Sequence, residues 1–378
     1  MKSKRILIIA SHPGSLTHFR GDFIFSLIKK GYSVFTASPC NTDEIKDRLK
    51  KMGATPLEFN LQRTGINPLK DIKAIKELQQ ILKERQIDLV FPYTVKPVIY
   101  GSLAANSLNI PVISLITGLG FTFSGLTQKA KILQRLNEIL YKISIRKNKV
   151  IVFQNKDDYQ LFLDRNILTS KNKVAFVSGS GVNLNKYKYR INNNVIDSVR
   201  FLFVARLIKE KGIDLYLAAA EALKNKYPKT EFHVIGIPET SPTAISISKL
   251  NELHDKNIII YHGKQSNVAE HLHNTDVFVL PTYYREGIPR SILEALSVGL
   301  PIITTNTPGC KETVITDKNG ILISPQNYNE LKEALEYFIL NKEKIKNMGI
   351  NSRKYAEDKF DVNIINNELI HLINDTLN

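Results

Sequence analysis

The chain has 378 residues, 43% of them hydrophobic and 23% charged, enough for two domains of ordinary size with a core apiece. Its formal net charge of +16 is unevenly placed: residues 1–195 hold 31 lysines and arginines against 13 aspartates and glutamates, residues 196–378 hold 21 against 23. No run of about 18 apolar residues occurs, which excludes a membrane-spanning helix, and the distant Cys40 and Cys310 exclude a paired-cysteine metal or redox motif and predict a reducing, cytoplasmic setting.

Ile6-Leu-Ile-Ile-Ala10 is too short for the apolar segment of a leader and is broken by Ser11-His12-Pro13-Gly14, so it reads as a buried strand. Short apolar runs then alternate with longer amphipathic stretches, the pattern of a doubly wound parallel sheet. The first half predicts strands at Arg5–Ala10, Ser33–Ala37, Leu89–Pro92, Val112–Leu115, Val150–Phe153 and Val174–Val177, with helices at Phe19–Lys30, Leu69–Arg85 and Ile99–Ser107. A polar stretch, Tyr187–Ser198 with Asn192-Asn193-Asn194, is the expected linker. A second series follows, with strands at Arg200–Val204, Phe232–Ile235, Ile258–Tyr261, Val277–Leu280, Ile302–Thr304 and Gly320–Ile323, and helices at Gly212–Lys226, Val268–His273, Pro289–Val298 and Tyr328–Leu340. Ligands of such sheets bind beyond the carboxyl ends of the strands at the switch in strand order, so two facing units predict a shared cleft.

The segment Pro281-Thr-Tyr-Tyr-Arg-Glu286-Gly287-Ile288-Pro289 runs from the end of a strand into a helix carrying Glu294. Amides at the helix start, around Gly287 and Ile288, suit a diphosphate or sugar oxygens. Glu286 and Glu294 are too widely spaced to flank one bond as a hydrolase pair does; they suit the two ends of an elongated ligand, taking hydroxyl groups of a sugar and a ribose. Arg206 and Lys211 lie beyond the first strand of the second half, where a guanidinium fork and an ammonium neutralise a leaving diphosphate, and Gly212 lets the next helix start close by.

Arg206-Leu-(x)3-Lys211-Gly212 and Glu286-(x)7-Glu294, with Asp276-Val-Phe-Val-Leu-Pro281, Gly299-Leu-Pro301-Ile302 and Pro308-Gly309-Cys-Lys-Glu312, resemble the large retaining family of GT-B glycosyltransferases that makes bacterial capsule, O-antigen and lipid-linked glycans. The resemblance implies an α/β fold of two Rossmann-like domains, residues 1–190 and 196–357, with a C-terminal helix over 358–378 returning to the first. It implies that Arg206 and Lys211 bind the donor diphosphate, that Glu294 binds the ribose, and that Glu286 with the Gly287 and Ile288 amides contacts the transferred sugar. It implies no cofactor and no metal, the UDP-sugar being a substrate.

In the first half, Gly14 and Ser15 fall in the expected loop after the first strand, where a glycine permits close approach to the donor, and His18 follows at the start of the expected first helix. Tyr93-Thr-Val95-Lys96-Pro97 and Thr117-Gly-Leu-Gly-Phe121 resemble a subgroup that extends lipid-linked oligosaccharides, N-acetylgalactosaminyltransferases among them. Many relatives have a histidine where this chain has Val95, and Lys96, the charged residue beside it, is the catalytic candidate expected in its place as general base. Along Leu126–Lys149, Ile132, Leu133, Leu136, Ile139, Leu140 and Ile143 recur at helical spacing among Lys129, Lys131, Arg135, Lys142, Arg146 and Lys147. Such a helix fits either a core with a basic outer face or an anionic bilayer surface. The partners implied are a nucleotide-sugar donor, an undecaprenyl-diphosphate-linked acceptor and the inner face of a bacterial membrane. A sugar-nucleotide epimerase of the same fold and a basic nucleic-acid-binding protein are the alternatives, the latter without a recognised binding motif.

Overall fold

The computed structural model describes all residues except 1–2, 63–66, 121–127, 170, 191–196, 240 and 242, and gives only the backbone of 128–131. Phe121, Asn192–Asn194 of the expected linker, and the side chains of Lys129 and Lys131 therefore lie outside the described residues. The chain divides into two compact units, one formed by Met1–Ser180 with Val362–Asn378, the other by Gly181–Asp361.

In the first unit, strands β1 (Arg5–Ile9), β2 (Ser33–Ser38), β3 (Thr55–Glu58) and β4 (Leu89–Pro92) form a sheet of order 3-2-1-4, and β5 (Ile113–Ile116), β6 (Val150–Phe153) and β7 (Val174–Phe176) one of order 5-6-7. All pair in parallel, and bridges Val90–Val112 and Tyr93–Leu115 connect β4 to β5. Along β1, Leu7 and Ile9 enter one core while Ile6 and Ile8 enter the other, as the two-residue period of a strand covered on both faces requires. The last helix, Val362–Leu377, lays Ile365, Leu369, Ile370 and Ile373 into the same core as Phe23, Ile24 and Leu27 of helix Gly21–Lys29.

The second unit carries β8 (Arg200–Val204), β9 (Glu231–Ile235), β10 (Ile260–Tyr261), β11 (Val277–Leu280), β12 (Ile302–Thr305) and β13 (Gly320–Ile323) in the parallel order 10-9-8-11-12-13. Its switch point lies between β8 and β11. Fully buried Asp276, just before β11, accepts from the Arg200 backbone N–H at 3.0 Å, Arg200 Nε at 3.0 Å and Arg190 Nη1 at 3.3 Å, fixing the register of these two strands. The unit begins earlier than the polar stretch suggested, at Gly181 and not near residue 196. The cause is local: the Val182 N–H donates to the Phe360 carbonyl at 2.8 Å, Ser297 Oγ donates to the Tyr187 carbonyl at 2.6 Å, and both Val182 and Tyr187 are buried in the second core.

Candidate active site

Arg206 follows the end of β8, and Lys209–Lys211 makes one tight turn before Gly212 opens helix Ile213–Lys226. Gly212 has φ +77°, and a Cβ there would overlap the Pro281 carbonyl, so only glycine lets this turn sit against the end of β11. The two loops are then laced together. Tyr283 and Tyr284 donate their backbone N–H groups to the Glu210 carbonyl at 2.9 and 3.0 Å, and Thr282 Oγ1 donates to the same oxygen at 2.9 Å. A third loop closes on them: Gly309 has φ +83°, and a Cβ there would overlap the Gly287 carbonyl.

This lacing brings Lys211 onto Glu286, as a hydrogen-bonded ion pair whose side chains are only 10% and 15% exposed. Burial, followed by the neighbouring Arg206 charge, lowers the Lys211 pKa to about 7, with Cys310 and the Glu239 carboxylate pulling the other way. Arg206 Nη1 donates to Glu239 Oε2 at 2.9 Å. The Tyr284 ring serves both cations, its centroid 5.4 Å from Arg206 Cζ and 5.3 Å from Lys211 Nζ. Arg206, Lys211 and Glu286 thus come together as the sequence predicted. Glu239 and Tyr284 join them unforeseen, since neither carries a spacing signal.

Glu294 belongs to a neighbouring group. It accepts from Arg290 Nε at 3.3 Å, and burial raises its pKa against the opposing influence of Arg290, Tyr187 and Lys186. The helix starts at Arg290 with Pro289 as its cap, so Gly287 and Ile288 lie in the turn before it and not at its first amides. Proline's fixed φ sets that boundary.

Two placements expected in the first unit need correction. Gly14 and Ser15 lie in a short helix, Pro13–His18, and not in a loop, because Pro13 starts it with a preset φ; His18 is its last residue. A Cβ on Gly14 would meet the His12 ring at 3.0 Å, so this glycine makes room for a side chain of its own unit. Ser15 Oγ donates to the His12 carbonyl at 2.6 Å and lies 2.7 Å from the Tyr93 hydroxyl, whose pKa burial pushes up to about 12. Lys96 Nζ donates to the Gln62 carbonyl at 2.7 Å and pairs with Asp71 at 3.3 Å, which makes it a strut between helices Pro68–Glu84 and Val95–Asn106. Before it, Thr94 is held at φ +68° and ψ +165°, a strained position for a β-branched residue, with its hydroxyl donating to Ser11 Oγ at 3.0 Å.

Helix Gln128–Ser144 sorts the apolar residues read from the sequence. Leu133, Leu136 and Leu140 are half-buried, whereas Ile132, Ile139 and Ile143 are 69%, 56% and 59% exposed, on a stripe that they share with exposed Arg135, Lys142 and Arg146. Among the described residues no helix is long and apolar enough to cross a membrane, and no cluster of three or more acidic, histidine or cysteine side chains could hold a metal ion.

Comparison with known proteins gives the family and the fold. The family "Glycosyl transferases group 1" matches residues 187–355, and "Glycosyl transferase 4-like" matches residues 5–155. The chain is 29% identical over 369 residues to N,N'-diacetylbacillosaminyl-diphospho-undecaprenol alpha-1,3-N-acetylgalactosaminyltransferase of Campylobacter jejuni, covering 94% of each chain. It is 26% identical over 284 residues to UDP-Gal:alpha-D-GlcNAc-diphosphoundecaprenol alpha-1,3-galactosyltransferase of Escherichia coli, covering 72% of this chain and 71% of that one. Among solved structures, sucrose-phosphate synthase of Thermosynechococcus elongatus superposes with a TM-score of 0.80 at 17% identity, covering 98% of both chains. Anabaena HepE in complex with UDP superposes with a TM-score of 0.77 at 17% identity, covering 98% of this chain and 100% of the other. The chain is therefore a glycosyltransferase of the GT-B fold, 4-like in its N-terminal half and of group 1 in its C-terminal half.

Proposed function

We propose that this enzyme moves a sugar from a UDP-sugar to an undecaprenyl-diphosphate-linked glycan in bacterial surface polysaccharide synthesis, with retention of configuration and without a metal ion. The observation that carries the reading is the meeting of Arg206, Lys211 and Glu286 on loops laced beyond β8 and β11. The names of the Campylobacter and Escherichia relatives support a diphospho-undecaprenol acceptor, and the first supports N-acetylgalactosamine as the transferred sugar. Transferase names among these relatives favour transfer over epimerisation or nucleic-acid binding.

As the glycosidic bond breaks, negative charge accumulates on the departing diphosphate. Arg206 and Lys211, held in advance by the lacing, stabilise that charge without reorganising. Glu286 exchanges its hold on Lys211 for hydroxyls of the sugar, the Gly287–Ile288 turn contacts the same sugar, and Glu294 takes the ribose hydroxyls. The diphosphate then receives the proton of the incoming hydroxyl on the same face, a role for which Lys96, tied to Asp71, is poorly placed.

A lipid-linked acceptor supports a position at the inner face of a bacterial membrane. The exposed Ile132, Ile139 and Ile143 with Arg135, Lys142 and Arg146 suit an anionic surface, the isoleucines entering the headgroup boundary and the cations meeting phosphates. Replacing the three isoleucines by serine is expected to weaken co-sedimentation with phosphatidylglycerol vesicles, and equal sedimentation would reject this face.

Purified enzyme, UDP-N-acetylgalactosamine and a synthetic polyprenyl-diphosphate acceptor are expected to give α-linked product in EDTA. Arg206→Ala and Lys211→Ala are each expected to lower turnover by roughly two to three orders of magnitude. Full activity in the double variant, or β-linked product, would overturn the reading.

A further inference from the structure

Both cations of the site already hold a carboxylate before any donor arrives: Lys211 has Glu286, and Arg206 has Glu239. Glu239 reaches Arg206 from a separate segment, the one that follows β9. That segment is fastened along the Arg206 loop by a series of backbone bonds. Leu207 N–H donates to the Ile237 carbonyl at 3.1 Å, Lys209 N–H to Thr243 at 2.9 Å, and Ile245 N–H to Leu207 at 3.0 Å. Gly236, at φ +147°, lies so close to Ala205 that a Cβ would overlap its carbonyl. Glu239 is therefore held beside Arg206 by its backbone, and the 2.9 Å contact follows from that placement.

We propose that Glu239 is the built-in counter-ion of the donor site, a specificity-determining residue that occupies Arg206 until a diphosphate displaces it. The proposal rests on the assignment of Arg206 to the donor diphosphate. A carboxylate fixed on the guanidinium presents one negative charge in good hydrogen-bonding geometry. A ligand wins Arg206 only by offering more charge than that, which a diphosphate does and a neutral nucleoside or sugar does not. The Tyr284 ring, 5.4 Å from Arg206 Cζ, keeps the guanidinium in place during the exchange.

The prediction has an unusual sign: removing a hydrogen-bonding partner from the site improves binding. By calorimetry, Glu239→Gln is expected to bind UDP and inorganic pyrophosphate about two- to fivefold more tightly than the unmodified enzyme, the gain from no longer breaking one partly exposed ion pair. Uridine binding is expected to stay the same. Glu252→Gln, on the following helix Ile247–Asp255 with its carboxylate paired to Lys256 at 2.7 Å, controls for the loss of a negative charge alone, and Glu239→Asp, which keeps the charge, is expected to lie between the unmodified enzyme and Glu239→Gln. In an Arg206→Ala background the Glu239→Gln gain is expected to vanish. A purely structural Glu239 would instead give weaker UDP binding and a lower unfolding temperature. UDP affinity that is unchanged or reduced in Glu239→Gln, or that rises equally in Glu252→Gln, overturns the proposal while leaving Arg206 as a diphosphate ligand. UDP affinity unaffected by Arg206→Ala overturns both.

Discussion

The ion pair between Lys211 and Glu286 couples two largely buried charges. Two unit charges about 4 Å apart attract by roughly 4 kcal/mol at an effective dielectric of about 20, and desolvation of two side chains only 10% and 15% exposed offsets much of that. A net coupling of about 1–3 kcal/mol is expected from the cycle of Lys211→Met, Glu286→Gln and the double variant, measured by urea unfolding of the C-terminal unit. Each single change strands one buried partner, so the double variant is expected to be more stable than the two losses added together. The dependence on pH follows from the Lys211 pKa, which burial and then Arg206 bring down to about 7. A lysine whose folded value lies below its unfolded value of about 10.4 gives up its proton first in the folded state. Between about pH 7 and 10 the unfolded chain then binds more protons and stability rises with pH. That rise is expected to disappear in Lys211→Met, and the coupling itself to be full near pH 6 and small at pH 9. Additive single variants, or a coupling equal at both pH values, would refute the reasoning.

Three further outcomes are expected. Gly212→Ala forces a side chain into a left-handed residue against the Pro281 carbonyl, and is expected to lower the thermal midpoint at a cost of about 1–3 kcal/mol and to weaken UDP binding; a variant as stable as the parent would contradict the lacing of these loops. Asp276→Asn leaves Arg190 and Arg200 facing a neutral group in a buried site and is expected to destabilise the C-terminal unit by about 3–5 kcal/mol in denaturant melts, more than any exposed carboxylate in the same unit. The stacked His233 and His262, with ring nitrogens 2.9 Å apart, both have pKa values lowered chiefly by burial, His262 to about 4. Folded values below the unfolded one of about 6.5 mean that stability is complete above that pH and is lost as pH falls toward 4; His262→Gln is expected to flatten the loss in thermal melts, and an unchanged acid limb would count against it.

What the sequence revealed was what continuous burial writes into it. Leu89–Pro92, Val150–Phe153, Val277–Leu280 and Gly320–Ile323 are strands covered on both faces or close to it, and each reads as a short apolar run with the bounds later found. Strand Thr55–Glu58 left no such trace, because it sits at a sheet edge with half-buried and exposed side chains. Helix Asp43–Lys51 is nearly all charged, with Leu49 alone buried, so periodicity gives almost nothing to detect. The site shows the same division. Arg206, Lys211 and Glu286 stand at strand ends where chemistry is expected, whereas Glu239 meets Arg206 through loop bonds between residues thirty or more positions apart. Gly14 and Ser15 misled because a Pro-Gly pair after a strand is as good a helix start as a loop.

The helix Val362–Leu377 has a consequence for biogenesis. It is synthesised after the whole span Gly181–Asp361, yet its Ile365, Leu369, Ile370 and Ile373 complete a core begun by residues that precede that span. The intervening span, Gly181–Asp361, is contiguous and can acquire its own structure during synthesis. Residues 1–180 must wait with one wall missing while the inserted unit folds, and a chain stopped near residue 361 would carry a folded second unit tethered to an unfinished first one.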